Sequence, residues 1–190
     1  MTARLMLICH GSTDAARRAA FPQDERLDDR GKIRAAKLVG HLPSVECCWT
    51  SPELRTRQTA EALGLIATIQ TSLRECDFGR WTGRRLSEIA AHEPLAAKCW
   101  LRDPAAAPHG GEPILDLIRR VATWLADEHA RNQRSIAVTH ATIIRAAIVH
   151  VMHAPPQSFW RIDIAPLSVT RLTGKDGRWN LASVGCTLHT

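Results

Sequence analysis

A chain of 190 residues with 45% hydrophobic and 23% charged residues has the size and balance of one compact globular domain, residues 1–190. It contains no apolar run near the roughly 18–20 residues that cross a bilayer. Its formal charge of +6 suits an anionic partner, but the arginines are scattered and three Phe with no Tyr offer little for stacking on bases. A small anionic substrate is therefore expected rather than nucleic acid.

The opening stretch MTARLMLICHG has one Arg and passes straight from a short apolar run into polar residues. That is the pattern of a first strand rather than a secretory signal, so a cytoplasmic location is expected. Residues 3–9 read as a buried strand ending at the His10-Gly11 turn. Asp28 and Asp29 offer caps for a helix over 30–41, with Ile33, Ala36 and Gly40 on one stripe. Residues 45–50 read as a second strand, and Pro52 is placed in the first turn of a helix over 53–64. The segment 72–112 holds Gly79, Gly83, Pro94, Pro104, Pro108, Gly110 and Gly111, with a short helical pattern near 84–92. It reads as an excursion from the sheet, a lid over about 76–112. Ile114, Leu117, Ile118, Val121 and Leu125 then mark a strong amphipathic helix behind Pro113. Residues 135–139 form a strand ending at His140, followed by a helix stripe of Ile144, Ala147, Ile148 and Val151. The stretch from Phe159 to Val184 reads as short strands around a turn at 174–177.

This alternation predicts an α/β fold of three layers, helix, sheet and helix, with a mostly parallel central sheet and a short lid insertion. Ligands in such folds sit outside the carboxyl ends of the strands, where both His10 and His140 fall. Either histidine alone reads better as structural; together they favour function. The six cysteines show no C-x-x-C pair and are read as reduced thiols. His150 and His153 are the nearest-spaced metal-like pair but lack further ligands, so neither metal nor cofactor is expected.

Five segments in order resemble the histidine phosphatase superfamily, the phosphoglycerate mutase-like enzymes. Cys9-His10-Gly11-Ser12-Thr13 is similar to Arg-His-Gly-x-Thr, with Cys9 in the Arg position. Leu27-Asp28-Asp29-Arg30-Gly31 fits the start of the first helix. Ser51-Pro52-Glu53-Leu54-Arg55-Thr56-Arg57-Gln58-Thr59-Ala60 carries the most specific match. Leu73 to Gly83 with Gly110-Gly111-Glu112, and Val138 to Arg145 around the second histidine, complete it.

The resemblance implies phosphoryl transfer through a phosphohistidine. His10 would be the nucleophile, and Arg55 and His140 would hold phosphate. Glu75 would be the general acid, which needs a pKa raised toward neutral. Gly11, Thr13, Ala141 and Cys9 would line the phosphate pocket. Arg57 is read as a solvated face, and Arg17 or Arg18 is the expected substitute for the cation missing at Cys9. Ala16 occupies a position where the family often has Asn. In the excursion, Trp81 and Trp100 offer an apolar wall or a small core, and Arg84, Arg85 and Arg102 offer charge for substrate. Two alternatives stand beside a phosphatase: a relative that binds a phosphorylated or other anionic ligand with little turnover, and a mutase. The partners implied are a small phosphorylated substrate and at most a second copy of the chain.

Overall fold

The computed structural model describes residues 2–187. In chain order the elements are β1 (Ala3–Cys9), α1 (Asp14–Arg17), α2 (Asp29–Ala36), β2 (Cys47–Thr50), α3 (Leu54–Ala62), β3 (Thr68–Ile69), α4 (Leu86–His92), α5 (Pro94–Arg102), α6 (Ile114–Arg131), β4 (Arg134–Thr139), α7 (Ala141–Val151), β5 (Ser168–Lys175) and β6 (Arg178–Thr187). One sheet has the order β3-β2-β4-β1-β5-β6. Its first four strands are parallel, while β5 runs antiparallel to β1 and β6 to β5. The expected parallel sheet is therefore correct for these four strands, and the C-terminal hairpin makes the whole sheet mixed. That hairpin turns at Asp176-Gly177, both at positive φ (52° and 76°), the two-residue turn that matches strand twist.

Helices cover both faces because the strands alternate. Leu5, Leu7 and Cys9 of β1 and Ala137 of β4 pack with Leu117, Val121 and Leu125 of α6 and Ile143, Ile144 and Ala147 of α7. Met6, Ile8, Ile136 and Val138 face the other way, onto Ala35, Leu38, Ala60 and Leu63 from the α2 and α3 side.

The buried stripe beside α2 is Gly31, Ala35 and Leu38, whereas Ile33, Ala36 and Gly40 are exposed. Gly31 decides this, because only a residue without a side chain lets α2 lie against the loop after β1. A Cβ at Gly31 would fall 2.6 Å from the Ser12 carbonyl oxygen and 2.9 Å from its nitrogen. Gly31→Ala is accordingly expected to destabilise the protein by about 1–3 kcal/mol, as overpacking does. Thermal unfolding should register that as a Tm lower by several degrees. An unchanged Tm would show that the loop yields without cost.

Two short elements escaped the sequence patterns: β3, only two residues, and α5, which starts with Pro94 at its first helical position. The excursion is pinned rather than free. The Phe21 amide donates to the Arg84 carbonyl (2.9 Å), and the Gly83 amide donates to the Phe21 carbonyl (2.8 Å). At its far end, the Glu112 amide donates to the Asp77 carbonyl (2.7 Å). A Cβ on Gly111 would sit 2.1 Å from that same carbonyl oxygen, so the crossing requires glycine. Trp81 and Trp100 are buried with Phe21 and Phe78 in an aromatic cluster with ring centroids 4.7–6.4 Å apart. They form a small core under the excursion and not the wall of a binding site.

Candidate active site

The register places the functional residues. Cys9 pairs with Thr139 and Thr50 with Val138, so His10, His140 and Ser51 follow directly at the carboxyl ends of adjacent strands. The His10 and His140 rings meet edge to face, with centroids 5.3 Å apart. His10 is buried, and its Nδ1 lies 2.7 Å from the Gly11 carbonyl oxygen. A carbonyl only accepts, so Nδ1 carries the proton and Nε2 keeps its lone pair. Arg55 Nε donates to that Nε2 at 3.3 Å. Burial, with the positive field of His140 and Arg55, pushes the His10 pKa down to about 3. The ring is thus neutral throughout the physiological range, with a free lone pair on Nε2.

Arg55, in the first turn of α3, is 1% exposed and fully engaged. Besides His10, it donates to the Gln23 carbonyl (2.9 Å) and to Glu75 Oε2 (3.1 Å). Pro52 lies one residue before the helix cap, which is Glu53, and so is not in the first turn. Glu53 itself is a site residue that pattern reading passed over as a variable position. Its Oε2 lies 2.9 Å from His140 Nε2 and also takes the Ser51 hydroxyl, while its Oε1 accepts from the Glu75 amide (3.1 Å). Burial pushes the Glu53 pKa up, but the hydrogen bond and charge of His140 outweigh it and hold the carboxyl at about 2. His140 is the N-cap of α7 and has no exposed surface. Its Nδ1 faces Glu75 Oε2 at 3.4 Å. Glu75 also accepts from the Cys76 amide (3.0 Å) and from the Thr142 hydroxyl.

Residues 5–187 match the profile of the histidine phosphatase superfamily (branch 1). The chain belongs to the histidine phosphatase superfamily. A bifunctional protein of Mycobacterium tuberculosis is 28% identical over 179 residues, 87% of this chain and 49% of that protein. Phosphoserine phosphatase 1 of Hydrogenobacter thermophilus is 26% identical over 87% of this chain and 83% of its own. The chain spans about half the length of the first curated relatives it matches. A mycobacterial glucosyl-3-phosphoglycerate phosphatase, solved with VO3, superposes with a TM-score of 0.83 at 27% identity, over 97% of this chain and 99% of that one.

In this member of the superfamily the Glu75 carboxyl departs from the sequence expectation. Burial raises its pKa, but the charges of His140 and Arg55 and the bonds from Thr142 and Cys76 lower it by more, so the net shift is downward. The expected elevation is absent, because His140, the Arg55 guanidinium and two hydrogen-bond donors surround the carboxylate.

A cleft of about 440 Å³ opens beside His10, lined by Cys9, Thr13, Arg17, Glu75, Ala141 and Arg145 among others. A second groove of about 880 Å³ lies alongside, but its mixed lining of Asp14, Asp24, Asp28, Arg26, Arg30 and Lys32 does not include His10. The presence of His10 therefore makes the smaller one the candidate site. Gly11 and Thr13 are partly committed to the framework: the Gly11 amide donates to Thr59 Oγ1 (3.0 Å), and Thr13 caps α1 by accepting from the Ala16 amide (3.2 Å). Burial and the Glu75 charge push the Cys9 thiol up to about 12, so it is a neutral space-filler. Of the expected substitute cations, Arg17 reaches the cleft but sits on Asp14 and lies 3.5 Å from Asp28. Arg18 does not line the cleft; it hydrogen-bonds the Asp14 carbonyl (3.4 Å). Arg57 is exposed. Arg84 and Arg85 pair with Glu93 and Glu88, and Arg102 is exposed at the end of α5.

The cleft arginine that pattern reading missed as a site residue is Arg145, although it ends the second-histidine segment. The other missed element is backbone: the Leu167 amide, at φ 61°, donates to the Cys9 carbonyl (3.1 Å) and the His10 carbonyl (3.3 Å). A bulky residue in that region is strained and persists where the surroundings enforce it.

Among the described residues, no group of three or more His, Cys, Asp or Glu is placed to hold a metal ion, and no helix is long and apolar enough to cross a membrane.

The depressed pKa values fix how stability depends on pH. An unfolded His10 takes up its proton near 6.5, while the folded one resists until about 3. For Glu53 the corresponding values are 4.5 and about 2. Both contributions are complete above the unfolded pKa and are lost as pH falls toward the folded one. Denaturation midpoints are expected to decline from pH 6.5 downward, with His10→Gln removing the part of the decline above pH 5. The same slope in that variant would show that His10 is not the titrating group.

Proposed function

We propose that this protein is a phosphatase that hydrolyses a small phosphomonoester through a phosphohistidine on His10. The observation that carries the reading is the unprotonated Nε2 of a buried, neutral His10, held 3.3 Å from Arg55 Nε beside an open cleft. Its relatives named as glucosyl-3-phosphoglycerate phosphatase and phosphoserine phosphatase support the same reaction class.

In the first step Nε2 attacks phosphorus in line and the ester P–O bond breaks. The leaving oxygen takes a proton from Glu75 and departs as the alcohol. Nδ1 keeps its proton, held by the Gly11 carbonyl, so the phosphorylated ring is cationic and a good leaving group. In the second step water attacks phosphorus and gives a proton to Glu75, and neutral His10 is released with inorganic phosphate. Arg55 and His140 supply the donors for the phosphoryl oxygens. Arg55 is then shared between Glu75 and the incoming anion, which raises the Glu75 pKa when substrate binds. Glu75 is thus ionised at rest and becomes an acid only in the loaded site.

The test is incubation with a ³²P-labelled phosphomonoester followed by quenching in alkali. Label on His10 that is stable in base and lost in acid, together with sustained release of phosphate, is the expected result. The second reading, an anion binder with little turnover, draws on the neutral Cys9 thiol that lines the cleft in place of a cation. Tight phosphate binding with neither label nor turnover would establish it.

A further inference from the structure

We propose that Arg145 is the second phosphate-binding cation of this site, contacting the phosphoryl group from the α7 side of the cleft; this rests on the phosphatase reading above. The alternation of β1 turns Cys9 toward the α7 face of the sheet. The first residue of α7, Ala141, lines the cleft beside it. Arg145 lies one helical turn further on, so it projects along the same face as Ala141 and lines the same cleft. Any cation meant to act where β1 ends in a thiol must come from this side, and α7 supplies one. Against the burial and Glu75 charge that raise the Cys9 thiol, Arg145 is the strongest opposing influence, ahead of Arg55.

The neighbouring arginines are less available. Each nitrogen of Arg55 already donates one bond, to His10, Gln23 or Glu75, and Arg17 is held between two aspartates. Arg145 is anchored but not saturated. Its Nε donates to the Ile162 carbonyl (2.6 Å), and its guanidinium lies 5.8 Å from the Phe159 ring centre. Its nearest carboxylate, Asp163, is fully exposed at 3.8 Å and so is a weak, solvent-screened partner. Among the described residues no hydrogen bond takes its Nη1. An arginine oriented at Nε, lining a cleft and with its Nη1 taken by no hydrogen bond, is preorganised for a phosphate oxygen.

The experiment compares the full-length wild type with Arg145→Gln, Arg145→Lys and the surface control Arg57→Ala. Substrates are an aryl phosphate and phosphoserine, and inorganic phosphate is the inhibitor. Arg145→Gln is expected to lower kcat/KM about 10²-fold on both esters and to weaken inhibition by phosphate about tenfold or more. Arg145→Lys should fall between, and guanidinium added to the Gln variant should restore part of the activity. Arg57→Ala should match the wild type. A loss confined to phosphoserine would overturn the proposal by making Arg145 a carboxylate reader. Equal phosphate inhibition in all variants would overturn it too. If Arg145→Gln loses its fold by circular dichroism, the Lys variant decides: wild-type phosphate affinity and rate sink the proposal, whereas a partial loss rescued by guanidinium supports it. Failure of the wild type to label His10 would instead refute the phosphatase reading, and is read separately.

Discussion

Replacing His10 by alanine is expected to lower turnover of any phosphomonoester by about 10⁴–10⁶-fold, the range seen when one member of a covalent catalytic unit is removed. Nothing else in the cleft takes over the attack. His140 Nε2 is committed to Ser51 and Glu53 at 2.8 and 2.9 Å, and the Cys9 thiol is held neutral. The fold should survive, because the Nδ1–H of His10 bonds only the carbonyl of its own neighbour, Gly11, and its Nε2 receives one bond from Arg55. Removing a buried neutral ring beside the Arg55 guanidinium is expected to leave Tm unchanged or slightly raised, as at other sites built for activity rather than stability. Inhibitory or calorimetric binding of inorganic phosphate should persist, since its donors remain. Residual turnover above about one part in 10³ would mean that another group attacks phosphorus, and the phosphohistidine scheme would have to be abandoned.

Arg55→Ala should be costly twice over. Its guanidinium touches His10, the Gln23 carbonyl and Glu75 from a position that is 1% exposed. Catalysis is expected to fall about 10²–10³-fold, the usual effect of deleting one preorganised donor to a charged transition state. Stability should fall by about 3 kcal/mol, because deleting one partner leaves a buried carboxylate uncompensated. His140, 3.4 Å from Glu75, limits that loss to the lower end of the range. The sign of a third effect is also fixed. Arg55 holds the Glu75 pKa down, so its removal must raise it. The shift is measurable as a perturbed carboxyl titration of Glu75 by carbon-detected NMR. Arg55→Lys, which keeps charge but loses the fork, should recover most of the stability and only part of the rate. A variant as stable as the wild type would show that the Arg55–Glu75 pair is dispensable to the fold.

The outline of the fold was legible because its signals are local. The apolar run 3–9 and the stripe Ile114–Leu117–Val121–Leu125 each satisfy one period, and both elements form. Where the signal was not local, the reading failed for identifiable reasons. The α2 stripe was misassigned because its buried face is chosen by Gly31 against Ser12, a contact between residues 19 apart. Trp81 and Trp100 could be read as a wall or a small core because their aromatic partner Phe21 lies 60 and 79 residues earlier in the chain, and the structure selects the core. Glu53 gave no signal, since an acidic residue before a helix reads as ordinary; its role depends on His140, 87 residues away.

The strand-end histidine is the case in which sequence and structure divide most clearly. The sequence by itself determined that His10 and His140 terminate strands and that Arg55 and Glu75 belong to recognisable segments, because strand ends and short motifs are properties of contiguous residues. Only the tertiary structure decided the states of those groups. The neutral ring of His10, the ionised Glu75 and the paired Arg17 all follow from burial and from charges that distant segments bring within a few ångströms. The place of Arg145 was decided in the same way, since it lines the cleft with Cys9 because α7 packs on the face of the sheet to which β1 turns its thiol.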